Sequence, residues 1–228
     1  MADFPLMTSH GTFIVSGIER VIVPQLARSY GVFFTASEIK GRKFFGGKII
    51  PSRGAWIEIE SDAEGVISVR IDRKRKFAGT TLLRVLGAKD NDAIKKLFAG
   101  DEFALKSIEK TLAKDHTKTV DEAYIDIHKR LRDGDLASAE NAKEFIDSIF
   151  DSERYDLSPV GRHRFNKRFG KKMDEKELKR KTINIDDIVT IISNIAMLNN
   201  TPNAMEDDIN HLGSRLVRFV GEHFQQKI

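Results

Sequence analysis

The chain has 228 residues, 40% of them hydrophobic and 32% charged, enough for one large domain or two small ones. Its 38 Lys and Arg against 34 Asp and Glu leave a net charge of only +4, so any affinity for nucleic acid has to come from where the charge is placed. With no cysteine, disulfides and thiolate metal sites are excluded, as suits a reducing cytoplasm. No apolar run approaches the ~20 residues of a membrane span, and the start, MADFPLMTSHGTF, lacks the basic and apolar regions of a signal peptide.

Residues 12–76 read as β structure. TFIVSG and ERVIV are two short strands about Ser16-Gly17. GVFFT, KII and WIEIE follow, punctuated at Gly46-Gly47 and Pro51. In VISVRID, Ile67, Val69 and Ile71 fall on one face, the pattern of a half-buried strand.

Residues 80–200 read as α structure. TTLLRVLG carries a Thr cap signal and stops at Gly87, and Asp90 to Phe98 forms a second short helix. Val120, Ala123, Tyr124, Ile127 and Leu131 make an apolar stripe. Ser138 caps AENAKEFIDSIF, and Ser158-Pro159 opens a further helix with Pro at its first position. Asp186 and Asp187 sit early in an apolar helix that Asn199-Asn200 ends, and HLGSRLVRFVGEHFQQ begins a last helix. A β-rich first third followed by helices predicts an α+β fold. Boundaries are expected near residues 20–30 and 205–215, with both chain ends returning to one neighbouring domain.

Three features could carry chemistry. RIDRKRK, residues 70–76, sets five basic residues around Asp72, either to track phosphates or as a solvated, charge-guarded strand end. GRHRFNKRFGKKMDEKELKRK, residues 161–181, has ten Lys and Arg against three acidic residues. Its Arg164, Lys167, Arg168 and Lys171 recur at helical spacing opposite Phe165 and Phe169, which gives either a phosphate-facing helix or a basic solvated face. Trp56, the only Trp, is either core or a platform for an unpaired base, with Arg28 and Arg53 as candidate donors to a guanine edge. Enzyme motifs are missing. The six His show no HExxH spacing, and no phosphate-binding or nucleophile-elbow glycine pattern occurs. Asp186-Asp187 and Asp207-Asp208 are adjacent pairs, which do not converge on one metal.

Four blocks, in order, resemble the β subunit of bacterial RNA polymerase. They are GTFIVSGIERVIVPQLARSYGVFF; IIPSRGAWIEIE with VRIDRKRK and TTLLRVLG; ERYDLSPVGRHRFNKRFG; and DDINHLGSRLVRFVGE. The resemblance implies one piece of a larger enzyme: residues 1–28 the edge of the protrusion, 29–206 the lobe, and 207–228 the return to the protrusion. The fold would be β-lobe-like, forming one jaw of the DNA channel beside downstream duplex and the non-template strand. Carried over, Trp56 stacks a base; Arg28, Ile209, Asn210 and Arg215 line a guanine pocket; Arg73, Lys74 and Arg75 match a basic run beside the strand. Arg20, Val23 and Gln25 match the edge of the rifamycin-binding region. Implied partners are DNA, the β′ and α subunits, σ factor and transcription regulators. An alternative role is a module that docks σ factor or a regulator. No cofactor, metal or catalytic residue is implied in this segment, since the polymerisation Mg²⁺ belongs to β′, and the expected location is the cytoplasm, at the nucleoid. The segment departs from the family at Asn210, where Asp is usual, and at Leu216, Pro24 and Tyr30.

Overall fold

A computed structural model describes residues 5–39, 41–132 and 138–225. The first four residues and the last three, included in the two end segments above, lie outside it. The chain divides into two units: residues 1–29 with 208–228, and residues 30–207. The architecture is α+β.

In the smaller unit, β1 (Phe13–Val15) and β2 (Ile18–Arg20) form a hairpin. Its two turn residues, Ser16 and Gly17, have φ of 54° and 76°, the twist-compatible geometry of a two-residue hairpin loop. β3 (Gln25–Arg28) was not visible in the sequence. It pairs antiparallel with β9 (Arg215–Arg218), so the two ends of the chain share one ribbon. The final segment therefore does not start as a helix. A 3-10 turn (Leu212–Ser214) leads into β9, and only Val220–Gln225 is helical. The backbone partners of β3 hold this stretch extended, an override of local pattern by distant pairing.

The larger unit is built on an antiparallel sheet of β4 (Gly31–Ile39), β5 (Arg42–Ile50), β6 (Ile57–Ser61), β7 (Ile67–Ile71) and β8 (Phe77–Ala78), in that order. The registers Ile49↔Ile57, Ile57↔Ile71 and Ile59↔Val69 put the isoleucines and Val69 on one face, where all are buried. The other face carries a cross-strand charge ladder: Glu58 lies 3.4 Å from Lys48 and 3.6 Å from Arg70. The exposed edge of β4 is closed by side chains. Asp207 Oδ2 accepts from Phe34 N at 2.7 Å, Asp207 N donates to Phe34 O at 2.8 Å, and Glu206 Oε2 accepts from Ala36 N at 3.0 Å. This is one way to satisfy an edge strand without another strand.

Helices cover the apolar face. α1 (Gly79–Val85) and α3 (Glu102–Lys114) pack on β7, and α8 (Ile185–Asn200) packs on β5. α2 (Asn91–Leu97), α4 (Val120–Leu131) and α5 (Ala139–Phe150) complete this layer. Thr119 with Glu122, and Asn184 with Asp187, form capping boxes, which fixes where α4 and α8 begin. The Thr pair expected to cap α1 does not cap it. Thr80 and Thr81 lie inside the helix, fully buried, and their hydroxyls donate to Asp115. Gly46-Gly47, expected to break the chain, lies within β5. The reason is crowding: a Cβ on Gly47 would meet Ile191 Cγ2 of α8 at 2.9 Å, and one on Gly46 would meet Ile59 O at 2.7 Å. Gly47→Ala should therefore push α8 off the sheet and cost about 1–3 kcal/mol, read as a midpoint lower by about 2–4 °C per kcal/mol in thermal unfolding. An unchanged midpoint would mean the helix does not need that close approach.

Candidate nucleic-acid interface

The larger unit carries the Trp56 surface. Trp56 stands just before β6 and is half-buried, neither a core residue nor fully exposed. Its backbone is held at two points by Asp72: Trp56 N donates to Asp72 Oδ1 at 2.9 Å, and Asp72 N donates to Trp56 O at 2.9 Å. After β7 the chain turns sharply, Lys74 N donating to Ile71 O at 2.9 Å. The turn's central residues, Asp72 and Arg73, have φ of 47° and 59°, left-handed values usually left to Gly, Asn or Asp. This turn lays the Arg73 guanidinium over the Trp56 ring, 5.7 Å from its centroid. Residues 72–76 are all exposed. Lys76 forms an ion pair with Glu60, and Arg73, Lys74 and Arg75 follow one another at the turn.

The smaller unit brings Arg28, Asn210 and Arg215 together. Arg28 and Arg215 are register partners across the β3–β9 ribbon. This register places two cations side by side across the ribbon, an arrangement that costs repulsion. Arg215 donates to Asn210 Oδ1 at 3.1 Å, and its buried Nε has no hydrogen-bond partner among the described residues. Asp208 Oδ1 accepts from Asn210 N at 2.8 Å and His211 N at 3.1 Å, which shapes the loop that leads into β9. With its oxygen turned to Arg215, Asn210 offers its amide as a donor to anything that approaches. Ile209 is half-buried in the same loop. Arg20 ends β2, Val23 is exposed, and Gln25 Nε2 donates to Val23 O at 3.1 Å.

The basic run 161–181 has a different role from either one expected. It is not one helix but two, α6 (Ser158–Arg168) and the short α7 (Glu175–Leu178). Phe165 is buried and Phe169 half-buried, packed with ring centroids 4.9 Å apart. Much of its positive charge is used inside the protein. Arg162 is fully buried and pairs with Asp187 at 2.8 Å, and it also donates to Thr182 O at 2.8 Å. Arg180 reaches the same carboxylate at 3.0 Å and Lys171 at 3.5 Å. Arg168 pairs with Asp207 at 2.6 Å and lies 4.5 Å over the Phe34 ring, and Arg164 lies 5.5 Å over Phe33. Burial pushes the Asp187 carboxyl upward, but the guanidinium groups of Arg162 and Arg180 outweigh it and hold the carboxyl below the usual carboxylate range. Asp187, expected only as a helix-start residue, is thus the hub of this region. The available signal was spacing: Arg162, Phe165 and Phe169 share one helical face.

Among the described residues no group of three or more His, Asp or Glu could hold a metal ion, and no helix is long and apolar enough to cross a membrane.

The larger unit is thus an antiparallel sheet layered with helices, and the segments that flank it in sequence pair in a separate ribbon. Residues 28–218 match the family RNA polymerase Rpb2, domain 2, and the chain belongs to that family. Along its whole length it is also similar to proteins named DNA-directed RNA polymerase subunit beta. It is 40% identical over 243 residues to that of Streptomyces avermitilis, 41% over 241 to that of a Nocardioides species, and 40% over 229 to that of Syntrophomonas wolfei. The segment is of the bacterial β-subunit kind, and it spans about a fifth of the length of these relatives, 20% in each case.

Proposed function

We propose that this segment binds and guides DNA as one jaw of a multisubunit RNA polymerase and contributes no catalytic residue or cofactor of its own. Trp56 stacks an unpaired base of the non-template strand, a contact worth about 1–3 kcal/mol. Arg73, Lys74 and Arg75 hold phosphates beside it, and Arg28, Ile209, Asn210 and Arg215 line a pocket for a second unpaired base. Arg20, Val23 and Gln25 belong to the edge of a drug-binding surface completed by other parts of the subunit. The working assembly includes β′, α and σ, in the cytoplasm at the nucleoid, with downstream duplex along the same jaw. The observation that carries this reading is a half-buried Trp56 beside an exposed turn with three neighbouring cations.

Neutralising Arg73, Lys74 and Arg75 together should weaken DNA binding by an assembled polymerase equally across sequences, and flatten its salt dependence by about 2 in log–log slope if all three contact single-stranded phosphates. Losses confined to particular promoter sequences would contradict a phosphate role.

Docking of σ factor or a regulator is a second role, favoured by an apolar cross-strand pair on the β3–β9 ribbon. Leu26 and Val217 are register partners and are 57% and 41% exposed. Binding that is stoichiometric and insensitive to salt would distinguish this from a DNA role.

A further inference from the structure

The turn after β7 holds two non-glycine residues at positive φ, and its second, Arg73, is the one whose guanidinium lies over Trp56. Such backbone persists only where its surroundings enforce it, and it tends to mark a ligand clamp. Here the enforcement is visible: Asp72 ties the turn to both backbone polar groups of Trp56, which holds the turn beside the start of β6. Arg73 is exposed and Trp56 is half-buried, so the indole keeps some access to solvent while the guanidinium lies over one of its faces. A base stacking on that face and the Arg73 guanidinium compete for one surface.

We propose that Arg73 is a displaceable cover on Trp56: it occupies the indole face in the absence of DNA, is pushed aside by the incoming base, and then takes that nucleotide's phosphate. The idea rests on the stacking role given to Trp56 above. It makes Arg73 different in kind from its neighbour Lys74, which would contact phosphate directly. The cover keeps an exposed aromatic surface from binding indiscriminately, and the exchange of one cation partner for another offsets the loss of the original contact.

The chain has one Trp, so its fluorescence reports this ring alone. Arg73→Gly removes the cover and places a residue suited to a φ of 59°, so the unfolding midpoint should stay level or rise. The acrylamide quenching constant should increase about twofold in Arg73→Gly, as one face of the ring is uncovered, and stay at the wild-type value in Lys74→Gly. No increase, or an equal increase in Lys74→Gly, overturns the cover. Single-stranded oligothymidylate at low salt should quench both wild type and Arg73→Gly, with the wild-type salt slope steeper by about 0.7, one phosphate contact. Equal slopes overturn the transfer of Arg73 to phosphate. Oligothymidylate that quenches neither protein removes the stacking role and the displacement with it, while the acrylamide comparison separately decides whether Arg73 shields the ring.

Discussion

Asp187→Ala should lower the thermal unfolding midpoint of this chain by about 6–20 °C. The carboxylate is 2% exposed and accepts from Arg162, which is fully buried, from Arg180 and from Lys171, while its backbone and side chain complete the cap that starts α8. Removing it leaves the Arg162 guanidinium buried without its counter-charge, a loss of about 3–5 kcal/mol, and each kcal/mol moves the midpoint of a domain this size by about 2–4 °C. Asp187→Asn keeps one acceptor oxygen and should lose less. A double replacement, Arg162→Met with Asp187→Leu, should recover much of the loss, because the penalty comes from stranding one charge. A single Asp187→Ala with an unchanged midpoint would show that water enters and solvates Arg162. The pH dependence has a defined sign. The folded carboxyl lies below its ordinary range, so its contribution is complete above the unfolded pKa, ~3.9, and is lost as pH falls through the lower folded value.

Trp56→Ala should shorten the lifetime of the open promoter complex by about 5–150-fold in a polymerase whose β subunit carries this segment, the equivalent of about 1–3 kcal/mol of base stacking. The same change should move the unfolding midpoint little, because the ring is only half-buried and its backbone anchors to Asp72 survive truncation. Truncating a core Trp would instead remove about 3–5 kcal/mol of stability. The two measurements are independent. A large drop in midpoint would assign Trp56 to packing, and an unaltered complex lifetime would remove it from the DNA path.

The sequence made the division into sheet and helices legible, since period-two runs such as Ile67, Val69 and Ile71 and the helical stripe of Val120 to Leu131 each bury one face. It also brought Trp56 and the 73–75 turn to attention. What it hid depended on distant partners. β3 is four residues after a proline, and only its pairing with β9 makes it a strand. Gly46-Gly47 looked like a break because its cause, the nearness of Ile191 and Ile59, lies in other elements. Arg162 looked like one more cation in a basic run until Asp187 was found beside it. The Asp72 clamp under Trp56 could not be read at all, because nothing local distinguishes a turn aspartate that solvates itself from one that ties down a neighbouring strand.

The β3–β9 ribbon also sets an order of events in biosynthesis. Its strands close a loop that contains the whole of residues 30–207, so the ribbon cannot form until Arg218 has left the ribosome. The larger unit is under no such delay, as its sequence is continuous. Once folded, it holds Asp207 against Phe34 through a backbone hydrogen bond of 2.8 Å, so its entry and exit already lie side by side. The long closure then becomes a short one, which saves about 2–3 kcal/mol of chain entropy. Slow maturation of the larger unit would therefore postpone the ribbon, leaving the backbone of β3 unpaired and open to edge-to-edge association in a nascent chain.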